Sequence, residues 1–313
     1  MAEGFDLDRL CAAVATHGRV ARVVVASCDG SAPREVGASM LVWAAGSSGT
    51  IGGGALEWEA AGRARALLGG GGQRLDRVPL GPGLGQCCGG AVTLLTEVWD
   101  AAALTRLSGP VISRSVDGSP MPLAVKRLLA KARAEGMRPG PQLLQGWMVE
   151  PVAEVRRQVW IWGAGHVGRA LVGVLAPLPG LGITWVDVAR DRFPEVLPEA
   201  VLPIWTAHPE ALVDHAPQTA EHLVLTFSHA LDLELCHRLL GHGFARLKLI
   251  GSATKAARFR RRLRALGHSD SQIGRMVCPI GDKSLGKHPQ AIALGVAVEL
   301  LRENRAAGAE IAS

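Results

Sequence analysis

The segment Val159-Trp-Ile-Trp-Gly163-Ala-Gly165-His166-Val-Gly168-Arg-Ala constrains the fold more than any other part of the chain. An apolar, strand-forming run leads into Gly-x-Gly-x-x-Gly, and a helical pattern follows. In that spacing Gly163 permits a tight turn, Gly165 lets the backbone approach a phosphate, and Gly168 allows helix–strand packing. The next strand candidate, Ile183 to Asp187, ends on an acidic residue, where such folds bind a ribose. Further strand candidates at Val201–Thr206, His222–Phe227 and Ala245–Gly251 alternate with helical stretches, which is the rhythm of a doubly wound parallel sheet. The expected class is α/β, with a Rossmann-like domain over 158–313 that closes on a helix from about His288 to Asn304. Such a domain with a bound dinucleotide and one without are both compatible with this pattern, because fold does not fix ligand.

A chain of 313 residues has room for a second domain. Residues 7–17 read as a helix and Val20–Ala26 as a strand; Met40–Trp43 is strand-like, Ala55–Leu68 helical, Arg77–Leu80 extended and Ala91–Val98 a strand. Gly69–Gly72 is expected to be a mobile loop. This gives an α+β N-terminal domain over 1–105. Between 106 and 157 the pattern weakens among Pro110, Pro120, Pro122, Pro139, Pro141 and Pro151, so a linker with one short helix near Leu123–Glu135 is expected.

Composition removes several function classes. The formal net charge of +6 suits an anionic ligand but lacks the clustering of a nucleic-acid binder. No apolar run reaches membrane-span length, and the acidic N-terminus does not read as a secretory signal. Cys11, Cys28, Cys87, Cys88, Cys236 and Cys278 show neither metal-site spacing nor an extracellular framework, which favours a reducing cytoplasm.

Several residues are chemical candidates. His229 and Asp232 follow the fourth strand of the parallel region, where open α/β sheets place ligand groups; a merely solvated histidine is the simpler alternative. Ser252 and Lys255 follow the fifth strand at a helix start, a place for an anion. The arginines at 258, 260, 261, 262 and 264 are too crowded to share one face and read as a solvated basic helix. Gly52-Gly53-Gly54 before a helix resembles a second anion-receiving turn, with Glu57 either part of it or simply favouring the helix start. The most unusual segment is Leu80-Gly-Pro-Gly-Leu-Gly-Gln86-Cys87-Cys88-Gly89-Gly90. Adjacent thiols among glycines suit a soft metal ligand or sulfur transfer, and inert packing cysteines are the alternative.

Taken together, Gly30-Ser-Ala-Pro-Arg34, Gly49-Thr-Ile-Gly-Gly-Gly-Ala-Leu-Glu57, Leu84-Gly-Gln-Cys-Cys-Gly-Gly90, Gly163-Ala-Gly-His-Val-Gly168, Ile250-Gly-Ser-Ala-Thr-Lys255, Cys278-Pro-Ile-Gly281 and Pro289-Gln-Ala-Ile-Ala293 resemble the XdhC/CoxI family of xanthine dehydrogenase accessory proteins. The resemblance implies a maturation chaperone rather than an enzyme. Such a protein binds molybdenum cofactor (molybdopterin), holds it while a cysteine desulfurase supplies the sulfido ligand, and delivers it to the molybdenum-binding subunit of apo-xanthine dehydrogenase. A cofactor-supplying protein is a further implied partner, and a homodimer is within expectation. Arg34, the glycine turns, Glu57, Gln86 and Gly89 would contact the cofactor, with Cys88 or Cys87 at its metal. One position departs from the family: its Thr-His-Asp-His-x-x-Asp pattern is met by Thr226-Phe-Ser-His229-Ala-Leu-Asp232, so only His229 and Asp232 carry over. The competing class is an NAD(P)-dependent oxidoreductase in which Asp187 binds a ribose and His229 serves as acid/base.

Overall fold

A computed structural model describes residues 4–81, 89–155, 157–198 and 200–310. The chain divides into two compact units, residues 1–154 and 155–313.

The first unit is organised by β1 (Val20–Asp29), which pairs antiparallel with β2 (Ser39–Trp43) on one side and β5 (Ala91–Trp99) on the other. With β3 (Gly46–Gly49) and β4 (Gln73–Pro79) these form a sheet of order β3-β2-β1-β5-β4. Successive side chains of a strand point to opposite faces. Ala21, Val23 and Val25 therefore share a core with Leu56, Ala60 and Ala64 of α2 (Gly54–Gly70). Val24 and Ala26 instead meet Leu95 and Met148 in a separate cluster. Because both faces are covered, β1 is an almost continuous apolar run, the pattern of a strand buried on both sides. An earlier helix, α1 (Leu7–His17), starts where the Asp6 carboxylate accepts the Arg9 N–H at 3.0 Å.

Two expectations change here. Gly69 and Gly70 lie in the last turn of α2, and the chain leaves it only at Gly71 and Gly72, whose φ angles are 72° and 93°. Residues 106–154 contain the expected helix, α4 (Leu123–Glu135), which follows the short α3 (Ala101–Leu104), but they do more than connect. They build an antiparallel sheet of order β6-β8-β7 from β6 (Val111–Ser115), β7 (Gln142–Leu144) and β8 (Trp147–Pro151). This sheet is bound to the core of the first unit by charge. Arg22 of β1 makes a two-pronged contact with Glu150 of β8 at 2.7 and 3.0 Å, and Arg114 of β6 bridges Glu97 of β5 to the same Glu150. Prolines at the strand edges and turns hid these short strands from a periodicity reading.

The second unit is a parallel sheet of order β11-β10-β9-β12-β13-β14. Its strands are β9 (Arg157–Trp162), β10 (Leu181–Asp187), β11 (Val201–Trp205), β12 (Glu221–Val224), β13 (Arg246–Leu249) and β14 (Met276–Val277). Renumbered along the chain this is 3-2-1-4-5-6, the dinucleotide-fold order, with its reversal between β9 and β12. Helices α5 (His166–Leu175) and α9 (Pro289–Glu310) cover one face, where Leu171, Leu175, Val296 and Leu300 join Val159, Ile161 and Trp185. On the other face α6 (His229–His242), α7 (Ala253–Ala265) and α8 (Asp270–Gly274) bury Leu235, Leu239, Phe259, Leu263 and Ile273. The side chains of Ser228, Ser252 and Ser269 cap these three helices, each cap contributing about 1 kcal/mol. The arginines of α7 at 258, 260, 261, 262 and 264 are exposed, as a solvated basic helix requires. No helix among the described residues is long and apolar enough to cross a membrane.

Gly168 shows why the glycine spacing is needed. A Cβ there would lie 2.0 Å from the Gly163 carbonyl oxygen, which also accepts the Trp185 Nε1–H at 2.9 Å. Gly168→Ala is therefore expected to push α5 away from β9. Overpacking of this kind costs about 1–3 kcal/mol. Urea unfolding of the full chain should show the loss, whereas Gly173→Ala on the same helix, where a Cβ meets nothing within 4 Å, should show none.

Candidate functional site

In the second unit the carboxyl ends of β9, β10, β12 and β13 gather the residues singled out from that half of the sequence. Gly163 turns with φ 125°, and a Cβ there would strike the Leu225 carbonyl oxygen at 2.4 Å, so the turn after β9 and the turn after β12 lie against each other. Two carboxylates tie these turns down. Asp187 is 4% exposed; its Oδ2 accepts the Ala164 N–H, its Oδ1 accepts the Val188 N–H at 2.7 Å, and Arg192 Nε stands 2.6 Å from Oδ1. Asp232 is fully buried and accepts from Thr226 N at 2.9 Å and Thr226 Oγ1 at 2.8 Å through one oxygen. Its other oxygen takes the Lys255 ammonium at 2.6 Å, and that ammonium also donates to the Ile250 carbonyl at 3.0 Å.

Asp232 and Lys255, two separate candidates in the sequence, are thus partners across the ends of α6 and α7. They hold the loops in place. Ser252 is the cap of α7, its hydroxyl accepting the Lys255 N–H at 3.2 Å. His229 is exposed at the start of α6, with its Nδ1 3.2 Å from Arg258 Nη2. His166 opens α5 and is also exposed. Gly165, the N-cap of that helix, offers no side-chain cap, so the free N–H groups of its first turn face ligand or water. His166, Arg169 and His288 line a cleft between α5 and the start of α9.

The first unit brings together a different set. Gly52, Gly53 and Gly54 precede α2, but the turn already holds an anion. Glu57 Oε2 accepts from Ile51 N at 3.0 Å, Gly53 N at 3.1 Å and Thr50 Oγ1 at 2.5 Å. Glu57 is therefore the turn's own carboxylate, so the Ile51 and Gly53 N–H groups are already taken. The loop carrying Arg34 packs beside it: a Cβ on Gly52 would meet Pro33 at 2.6 Å, and one on Gly90 would meet the Asp29 and Ser31 carbonyl oxygens at 2.4 Å. Arg34 itself lies 3.4 Å from Glu35. The Gly30–Arg34 loop, the Gly49–Glu57 turn and Gly89–Gly90 thus share one end of the five-stranded sheet. Gln86, Cys87 and Cys88 lie outside the described residues.

Electrostatics narrow the sulfur chemistry elsewhere. Burial pushes the Cys28 thiol up, reinforced by Asp29 and Glu35. Burial likewise raises Cys236, and it raises Cys278 against the opposing pull of Lys255, Arg260 and Lys283. These three thiols are held protonated, the unreactive form. Among the described residues no group of three or more His, Cys, Asp or Glu side chains is arranged to hold a metal.

Three residues at the second unit's site were not singled out from the sequence. Arg192 closes the short 3-10 turn Arg190–Arg192, and Thr226 and Phe227 lie just past β12, which ends at Val224 rather than at Phe227 as the sequence suggests. Their one signal is position, since each follows a strand that ends at the crevice.

The fold and this constellation define a class: a Rossmann-type unit whose glycine turn is tied to its own acidic residue, joined in one chain to an antiparallel α+β unit bearing a second glycine turn. Residues 159–300 match the model of the XdhC Rossmann domain and residues 13–79 match that of the XdhC and CoxI family. The chain belongs to the XdhC and CoxI family. It is 31% identical over 156 residues to the uncharacterized protein YqeB of Escherichia coli, a match spanning 49% of this chain and 29% of that protein. A crystal structure of a protein described as a xanthine dehydrogenase from Bacillus halodurans superposes with a TM-score of 0.68 at 17% identity, covering 96% of each chain. That likeness extends the fold to both units.

Proposed function

We propose that this protein carries molybdenum cofactor to xanthine dehydrogenase, holding it while a cysteine desulfurase supplies the sulfido ligand. The reading rests on the family to which the chain belongs, and one structural observation favours it over a dehydrogenase. Asp187, the residue that would bind the ribose of a nicotinamide dinucleotide, is buried with both oxygens engaged by Ala164, Val188 and Arg192. A ribose diol would have to displace one of them.

The cargo is an anionic, soft-metal pterin, and each unit, taken by itself, carries groups that suit one part of it. Its phosphate suits the uncapped first turn of α5, where backbone N–H groups and the helix dipole favour negative charge. Its metal end suits Cys87 or Cys88, because molybdenum accepts soft sulfur ligands and the described thiols with raised pKa are poor thiolates. Gly89, exposed beside Cys88, permits close approach. Handover needs only a transient interface with the receiving enzyme.

The test is native isolation of the full chain after exposure to molybdenum cofactor, followed by pterin and molybdenum analysis, alongside assays with NAD and NADP. The expected result is a chain that retains both pterin and metal and oxidises no substrate with either nucleotide. Tight dinucleotide binding with turnover, and no retained pterin, would overturn the proposal.

A further inference from the structure

We infer that the first unit holds a second, separate ligand site: a cleft for a small monocarboxylate with an apolar body, at the end of the five-stranded sheet remote from the glycine turns. The cleft has a volume of about 410 Å³ and is lined by the end of β5, the start of β4, residues of β6 and the segment after α3. Strand β5 starts at Ala91, next to Gly90, and ends at Trp99 in the cleft wall. About 27 Å of extended chain therefore lies between the two ends. A cleft of this size with apolar walls and a few convergent polar groups is the usual form of a small-molecule site.

Two buried donors in its wall lack acceptors. Trp99 is 7% exposed, and its Nε1–H has no hydrogen-bond partner among the described residues. The Arg114 side chain is 10% exposed. Its Nε donates to Glu97 at 2.6 Å and its Nη2 to Glu97 and Glu150 at 2.9 and 2.5 Å, but Nη1 has no partner among the described residues. The Arg114 guanidinium carbon stands 6.0 Å from the Trp99 ring centre, so one ligand can meet both groups. An indole N–H and a guanidinium only donate. Buried donors left unmatched are costly, and a group that only accepts, such as a carboxylate, answers both.

The remaining lining residues set the class. The carboxylates of Glu97 and Glu150 balance the guanidiniums of Arg22 and Arg114. Arg106, exposed in the cleft wall, then supplies one positive charge in excess. A monoanion matches that charge, whereas a phosphate dianion would bring surplus negative charge beside Glu97. Val98, Ala103 and Leu107 give the wall an apolar surface for the body of the acid. All of these groups belong to the first unit, so the site is independent of the carrier reading.

The experiment uses the cofactor-free full chain, labelled with ¹⁵N and titrated with benzoate and with hexanoate while the indole N–H signals are followed by NMR. The chain has eight tryptophans, and Trp99→Phe identifies the signal of Trp99 by its loss. That signal should move downfield and saturate with each acid. By calorimetry, Trp99→Phe should weaken binding about tenfold and Arg106→Ala about fivefold, benzamide should bind at least tenfold more weakly than benzoate, and inorganic phosphate should not saturate. Thermal unfolding of ligand-free Trp99→Phe should be no lower than that of the parent, because the variant keeps an aromatic ring and loses an unmatched donor. No saturable shift with either acid, unchanged affinity in both variants, or phosphate binding as tight as that of benzoate would overturn the site.

Discussion

Replacing Glu150 with Ala is expected to cost about 3–5 kcal/mol of stability, because removing one partner of a buried pair strands the charge of the other. Here Arg22 loses both of its hydrogen bonds, while Arg114 keeps its pairing with Glu97. Glu150 is fully buried and takes both prongs of Arg22, itself 1% exposed, and one from Arg114. Both guanidiniums also lie over the Phe5 ring, at 4.5 and 4.9 Å, so neither can swing to water without unpacking it. Burial alone would raise the Glu150 pKa, but Arg22 and Arg114 override it and hold the carboxyl below its usual range. A loss of this size lowers Tm by about 5–8 °C in a chain of 313 residues. Glu135→Ala, on the exposed end of α4, is the control and should stay within about 0.5 kcal/mol of the parent. Equal melting temperatures for the parent and the Glu150 variant would show that the network contributes nothing to stability.

Acid should unfold the chain through His222. This residue on β12 is fully buried; its Nδ1 accepts the Trp162 Nε1–H at 3.1 Å, and its Nε2 has no partner among the described residues. Burial, with a smaller push from His242, takes its pKa down from 6.5 to about 3. The folded state therefore refuses a proton that the unfolded chain accepts. The stability from its neutral form is fully present above pH 6.5 and is lost progressively as pH falls towards 3. Between pH 6.5 and 4.5 the loss is about 2–3 kcal/mol, at about 1.4 kcal/mol per pH unit. Urea unfolding at both pH values measures it directly. His222→Phe, which cannot titrate, should flatten that dependence; an unchanged slope would assign the acid lability to other groups.

Much of the second unit was legible because its signals are local. The glycine turn, the strand–helix alternation and the apolar helix faces each lie within one window, and the strands follow from them. The last strand of that sheet, Met276–Val277, was not legible, since two residues carry no period. In the first unit the central strand and α2 were readable from their apolar spacing. The sheet formed by residues 111–151 was not, because what fixes it is Arg22 finding Glu150 across 128 residues of sequence. The site shows the same division. The sequence pointed to Asp187, Asp232, Lys255 and Glu57 as ligand groups, since residue type and position are what a sequence displays. That Asp232 and Lys255 satisfy each other, and that Glu57 fills its own turn, depends on side-chain distances that appear only on folding.

The central claim is delivery of the cofactor, and its most direct measurement is activation of apo-xanthine dehydrogenase. Full-length protein loaded with molybdenum cofactor and treated with a cysteine desulfurase and its sulfur source is mixed with the apoenzyme, and xanthine oxidation is followed over time. The carrier account predicts that activity appears in proportion to the loaded protein added, while the cofactor-free chain gives none. Activation at the same rate and yield by free sulfurated cofactor without this protein would contradict it.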